Sequence, residues 1–206
     1  MPHPKSNPPT LEHAPVRLRP IREGDETVLV ETATMETFRY YVTGMPTEET
    51  VEGFRPFAQF LLNEPSVQCF VVEDLATGKA LGATSLMDIR PADRHVEIGM
   101  TWYTPDARGT QVNPACKFLL LQYAFEVLDA EKVTLKCDAR NAHSRAAISK
   151  LGADFEGILK RHRFNAFGEF RDTAFYAIFR EMWPQVKEGL LARLVREADQ
   201  TGPDRA

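Results

Sequence analysis

The sequence predicts an α/β (α+β) protein: a mixed, mostly antiparallel sheet of about seven strands flanked by helices. Three observations predict it. Runs such as "VRLRPI", "HVEIGMTWYT" and "KVTLKCD" alternate apolar and polar residues with the period of a half-buried strand. The segments "DARGTQVNPACKFLLLQYAFEVLD" and "NAHSRAAISKLGA" instead read as helices, and both lie between strand-like runs. A chain of 206 residues with 43% hydrophobic content is long enough to bury one sizeable core.

The first fifteen residues, "MPHPKSNPPTLEHAP", are rich in proline and are expected to form a flexible tail. Order is expected from Val16, where Val16, Leu18 and Pro20 alternate with Arg17 and Arg19. "REGDETVLVETATM" reads as a turn plus a helix. "TEETVEGFRPFAQFLLN" reads as a helix with a capping-box-like start at Thr47 and Thr50, and Pro56 is a candidate kink. "VQCFVVEDLATGKALGATSLMDIR" and "HVEIGMTWYT" then form an antiparallel meander, turned at Thr77-Gly78 and through "RPADRH".

A long helix follows, carried by Phe118, Leu121, Phe125 and Leu128, and then the strand "KVTLKCD". The next helix has Asn141 as its expected N-cap and Gly152 at its end. "FEGILKRHRF" and "FRDTAFYAIF" flank an Asn165 to Gly168 turn as a hairpin. "EMWPQVKEGLLARLVREA" is an amphipathic helix before a polar tail, with Trp183 as its packing anchor. The body is thus expected over residues 16–184, with a C-terminal helix and tail over 185–206.

Composition excludes several classes. The net charge of −4 argues against a general nucleic-acid-binding surface. No run of about 18 apolar residues is present, and the first residues lack the apolar core of a secretory signal, so a soluble, cytoplasmic protein without a membrane partner is expected. The three cysteines, Cys69, Cys116 and Cys137, are far apart and form no CxxC pair. They read as reduced, buried thiols, with neither a disulfide framework nor a metal site.

The chemistry-bearing stretch is the loop and helix start at residues 106–114. A helix leaves its first backbone N–H groups without intrahelical partners, and with the helix dipole these form an anion site when the preceding loop folds around it. Asn113 is the expected N-cap and Pro114 suits the first helical turn. Arg108 supplies positive charge, Gly109 permits an unusual turn, and Thr110 offers a hydroxyl. The set suits a diphosphate, although an ordinary capped helix after a polar loop explains the same residues, and the spacing is neither a P-loop nor a GxGxxG fingerprint.

The strand "HVEIGMTWY", this loop, the long helix, the strand "KVTLKCD" and the helix from Asn141 together resemble the GNAT family of N-acetyltransferases, especially its RimJ/RimL-like branch. The resemblance extends over residues 16 to 184, including "LRPIREGD" and the hairpin ending in "RDTAFYAIF". It implies the GNAT fold, in which the fourth strand, here residues 95–103, is bulged and splays from the fifth, here the strand from Lys132. It also implies acetyl-CoA as cosubstrate, a primary amine on a protein N-terminus or small molecule as acceptor, and a possible homodimer. The family's pyrophosphate loop has the pattern Q/R-x-x-G-x-G/A. Arg108 matches its first position, while Gln111 and Asn113 replace the two glycines.

On that resemblance Arg108, Gly109, Thr110, Gln111, Val112 and Asn113 hold the pyrophosphate. Met100, Thr101, Trp102 and Tyr103 line the pantetheine arm through their backbone, with an amide near Met100 serving the carbonyl oxygen. Asn141 and Arg145 complete the coenzyme contacts. Glu97 is the expected base, acting through water; its alternative is a solvent-facing strand glutamate, with His95 and Asp88 as the nearest substitutes. The tyrosine acid of many family members is replaced by Ile148, so Ser144 and solvent are the candidates for protonating the thiolate. Phe38, Tyr40, Tyr41, Phe164, Phe167 and Phe170 are candidate acceptor walls. Two other readings stay open: a catalytically silent acyl-CoA-binding module, and an interaction protein on the same scaffold.

Overall fold

The structure, a computed structural model, describes residues 1–42 and 45–200, with side chains described through residue 195. Eight strands form one sheet in the order β1-β2-β3-β4-β5-β6-β8-β7. They are β1 Leu11–His13, β2 Val16–Pro20, β3 Gln68–Asp74, β4 Ala80–Arg90, β5 His95–Tyr103, β6 Lys132–Asp138, β7 Asp154–Phe164 and β8 Phe170–Phe179. All neighbours are antiparallel except β5 and β6. The helices are α1 Glu26–Leu29, α2 Val51–Asn63, α3 Val112–Gln122, α4 Ala142–Ser149 and α5 Trp183–Gln200.

The eighth strand corrects the expected tail. Leu11 pairs with Leu18 and His13 with Val16. The His13 ring sits edge-on to Phe118 at 4.9 Å, and Lys5 Nζ donates to the Glu64 carbonyl at 2.6 Å. Proline content alone misjudged this segment, because Leu11 finds an apolar partner on the neighbouring strand and packs on the core.

The helix expected from residue 22 is also shorter than its sequence suggests. Only Glu26–Leu29 is α-helical, and 3₁₀ turns follow at Val30–Thr32 and Met35–Phe38. Thr27, Val28, Val30, Thr32 and Thr34 are β-branched, and Thr32 Oγ1 donates to the Leu29 carbonyl at 2.7 Å, competing with helix continuation. Helix α2 is capped by Thr50, whose hydroxyl accepts from the Gly53 amide at 3.1 Å, and it runs through Pro56 without breaking.

Two apolar layers sandwich the sheet. One face packs Val96, Ile98, Val133, Leu135 and Cys137 under α3, α4 and α5. The other packs Phe38, Phe54, Phe57, Leu61, Val71 and Trp102 beneath α1 and α2. Trp183 anchors α5 as expected: its ring stacks on Phe125 at 5.6 Å and its Nε1 donates to Glu126 at 2.8 Å.

Two irregularities shape the site. On β4 only Thr84 lies between Ala83 and Ser85, yet on β5 both Met100 and Thr101 lie between their partners Trp102 and Gly99. This is a β-bulge, and Met100 takes the left-handed φ of 45° that it requires. Gly82 faces it: a Cβ there would meet the Trp102 carbonyl oxygen at 2.1 Å, so only glycine lets β4 approach. The second irregularity is the parallel pairing of β5 with β6, which covers only His95–Ile98 against Lys132–Leu135. Beyond it β5 runs on through Tyr103, while Lys136–Asp138 pair with β8 on their other edge. The two strands therefore part in a V whose inner edges carry unpaired backbone.

Candidate active site at the parted strands

The loop after β5 ends where helix α3 begins, at the mouth of the V. Asn113 is not the N-cap. Gln111 occupies that position and Val112 opens the helix, its amide donating to Thr110 Oγ1 at 3.2 Å. Asn113 lies in the first turn, where its Oδ1 accepts from the Tyr103 hydroxyl at 3.2 Å. With its Oδ1 given to Tyr103, Asn113 caps no helix amide, and the helix starts upstream of it. Gly109 has φ +75°, and space around it is open.

Among the described residues the amides of Gly109, Thr110, Gln111 and Asn113 have no acceptor within the chain. Unpaired amides at a helix N-terminus fit an anion, and this loop has them despite lacking two of the family's glycines. Gln111 manages this with right-handed φ −66°, ψ −13°, so the missing glycine costs no strained angle there. Its side chain leaves the loop and donates to the Leu194 carbonyl of α5 at 2.9 Å. Arg108 differs from expectation. Its guanidinium turns toward the Tyr103 carbonyl (3.0 Å) and Thr37 (3.3 Å), lining a pocket of about 120 Å³ with Thr34 and Pro105, and gives the loop no hydrogen bond.

Along the V, the side chains of Thr101, Trp102 and Tyr103 are spoken for. Thr101 Oγ1 bonds Thr84 Oγ1 at 2.7 Å and accepts from the buried Lys117 Nζ at 3.1 Å. The Trp102 Nε1 donates to Thr32 at 2.9 Å, and the Tyr103 ring is buried under α3. What these residues, with Met100, offer the gap is backbone. An extended arm can pair with such an edge as an added strand.

Glu97 lies on the sheet face opposite Val96 and Ile98, but not in solvent: it is 7% exposed. Lys136 Nζ sits 2.6 Å from its carboxylate. Burial pushes the carboxyl above the usual glutamate range, and Lys136 opposes that push. The substitutes are weaker. Both ring nitrogens of His95 are engaged, with the Asp88 carbonyl (3.1 Å) and Thr134 Oγ1 (2.8 Å), and burial lowers its proton affinity. Asp88 stands at the rim beside Arg90.

On the other face, Asn141 caps α4 as expected, accepting from the Ser144 amide at 3.0 Å. Ser144 adjoins Cys137 at the open end of β6; burial pushes that thiol up, and the Ser144 hydroxyl with Arg171 and Arg145 opposes it. Arg145 is tied to the Tyr176 hydroxyl at 3.1 Å and lies over the Phe155 ring. The expected base and the expected acid thus flank the V from opposite faces of the sheet.

Of the expected acceptor walls, Phe38 is fully buried and belongs to the core, with Tyr41 packed on it at 5.0 Å. Phe164 and Phe170 stack at 4.5 Å and, with Phe167, stay exposed at the hairpin tip. That tip grips the segment after Phe38: the Ala166 amide donates to the Tyr41 carbonyl at 3.0 Å and Arg171 Nη1 to the Tyr40 carbonyl at 3.1 Å. Sequence reasoning missed Lys136, Arg171 and Lys117. Lys136 alternates with Val133 and Leu135, so its face was readable, but its partner was fixed only by the parallel register of β6 on β5. Among the described residues no cluster of three His, Cys, Asp or Glu is placed to hold a metal ion, and no helix is long and apolar enough to cross a membrane.

Comparison with known proteins agrees with this geometry. The acetyltransferase (GNAT) domain family matches residues 16–154. Spermidine N(1)-acetyltransferase of Escherichia coli K12 is 26% identical over 168 residues, covering 82% of this chain and 88% of its own. A GCN5-related N-acetyltransferase from Brucella melitensis superposes with a TM-score of 0.83 at 30% identity, covering 94% of this chain and 87% of its own. RimJ of Mycobacterium smegmatis, solved with CoA-disulfide, shares the fold at a TM-score of 0.75 and 23% identity, over 90% of this chain and 95% of its own. With parted strands, a bulge and a free-amide loop all inside the matched segment, the chain belongs to the GNAT family of acetyltransferases.

Proposed function

We propose that the protein transfers an acetyl group from acetyl-CoA to a primary amine, of a small molecule or a protein N-terminus, by direct attack in a ternary complex. The observation that carries this reading is the V between β5 and β6, with free amides at its mouth and a buried carboxylate on its wall. Gly109, Thr110, Gln111 and Asn113 would hold the pyrophosphate by their amides, with Val112 opening the helix behind them. Met100 to Tyr103 would pair with the pantetheine arm, and Asn141 and Arg145 stand at the far side of the opening. Bound acetyl-CoA supplies an activated thioester.

The chain's own residues do the rest. Glu97, directly or through water, accepts the proton of the attacking amine as the N–C bond forms, since only the unprotonated amine is nucleophilic. The bulge aims backbone polarity at the carbonyl oxygen, where charge develops. As the C–S bond breaks, the proton for the thiolate comes from Ser144 or solvent; a thiol with an ordinary pKa of about 8.5 needs little help. The E. coli relative's name, a spermidine acetyltransferase, supports an amine acceptor. The fold shared with RimJ supports the RimJ/RimL-like branch, and a cytoplasmic site suits a pool of acetyl-CoA.

Calorimetric titration with coenzyme A, followed by mass spectrometry of an amine panel incubated with acetyl-CoA, tests the reading. Binding with acetylated product is the expected result. Binding without product on any amine would leave a silent acyl-CoA-binding module, and absence of binding at millimolar coenzyme would refute the site.

A further inference from the structure

Arg171 stands at the start of β8, just past the pairing of Thr173 with Asp138 at the end of β6, where the hairpin tip grips the segment at Tyr40 and Tyr41. The residue is 8% exposed, and its side chain reaches the Tyr40 carbonyl. One hydrogen of Nη1 is used there, at 3.1 Å. Its Nε is buried without any partner, and Nη2 has no acceptor among the described residues. Burial pulls the guanidinium down from its ordinary affinity for a proton, and the carboxylates of Asp138 and Glu97 act against this.

None of those carboxylates is available to it as a partner. Glu97 is held by Lys136 at 2.6 Å, and Asp138 by Arg140 at 2.9 Å. A buried guanidinium lacking an ion pair is costly, because desolvation is not offset by a fixed counter-charge. Fork-shaped donors answer best to a planar carboxylate, which takes two parallel hydrogen bonds.

We propose that Arg171 receives a carboxylate of the acceptor, so that the substrate is an amine carrying its own acid group, of the amino-acid class. This rests on the transferase reading above and narrows it. The carboxylate completes Arg171 while the amine of the same molecule faces Glu97, since the pairing of Glu97 with Thr134 and of Thr134 with Ala177 puts Glu97 and Arg171 on one face of the sheet. A polyamine offers Arg171 no carboxylate and brings further positive charge beside it and Arg163, which stands opposite across the hairpin. That juxtaposition is unfavourable.

The test uses the full-length protein with acetyl-CoA and a panel of amino acids, each compared with its own carboxamide, plus spermidine. We expect kcat/KM for the best acid to exceed that for its amide at least tenfold and to exceed that for spermidine. Arg171→Met should bring the acid-to-amide ratio to about one, and Arg171→Lys should keep part of it. Equal rates for acid and amide in the unaltered protein overturn the proposal without any variant, as does a preference for spermidine or a ratio unmoved in Arg171→Met. If no amine is acetylated, the transferase reading fails separately. Calorimetric titration of acids and amides into the protein with coenzyme A then decides: acids binding over amides supports the proposal, and equal or absent binding overturns it.

Discussion

A base that takes a proton from an amine near neutral pH works best when its own proton affinity exceeds that of an ordinary glutamate. Burial provides this for Glu97, and Lys136 limits it. The acid limb of the kcat/KM profile should therefore lie above the usual carboxylate range. Glu97→Gln should remove that limb and lower turnover about 100-fold between it and the pH at which the amine loses its proton unaided, converging with the parent below the limb, where Glu97 is itself protonated, and again at high pH, while coenzyme A affinity stays the same. An unchanged rate at every pH removes Glu97 from the mechanism. Lys136→Met should move the limb to still higher pH. Lys117 is a different case, since its ammonium is buried and among the described residues donates only to Thr101, and burial pulls it down to about 8 from 10.5. Between those values the unfolded chain binds more protons than the folded one, so stability rises with pH through that window, and below it the full cost of the buried charge remains. At 1.36 kcal/mol per unit that cost is roughly 3 kcal/mol. Lys117→Met should raise stability at pH 7 and flatten its rise toward pH 10, measured by urea unfolding; a loss of stability at pH 7 would contradict this.

The loop between β5 and α3 turns a strand ending into a row of free backbone amides, and Gly109 is its one left-handed residue. Because nothing crowds the position, a substitution there acts through φ alone. A β-branched residue is disfavoured at positive φ by roughly 1–2 kcal/mol, so Gly109→Val should weaken coenzyme A about tenfold by turning neighbouring amides aside. Calorimetry giving equal affinity for both proteins would show that the loop does not need this angle. Gln111 carries the opposite lesson. Its position in the family pattern belongs to glycine, yet its backbone is right-handed and its side chain fastens the loop to α5. The element keeps its amides free by bracing the loop from the last helix instead of by flexibility in the loop.

At the scale of the molecule, one sheet divides two apolar layers and lets β5 and β6 part between them, so that the expected base and acid reach the V from opposite faces. The sheet starts earlier than composition suggested. Removing residues 1–13 deletes β1 and the packing of Leu11, and should cost about 1–3 kcal/mol in urea unfolding; an unchanged midpoint would show β1 to be dispensable. The seven main strands, the capped α4, the anchoring Trp183 and the loop before α3 were legible from local sequence, because alternation, caps and turns are set by neighbours along the chain. Glu97 was legible as a residue type in a motif. Its burial was not, for "VEIG" reads equally well with the glutamate facing water. Lys136, Arg171 and Lys117 lie 39, 74 and 20 positions from Glu97, and only strand register and helix packing bring them to the β5 strand and its two faces. By itself, then, the sequence determined which segments extend, which coil and which backbone turns freely. Tertiary structure alone decided which charges are desolvated and which are paired, since dielectric and distance are properties of packed elements and not of spacing along the chain.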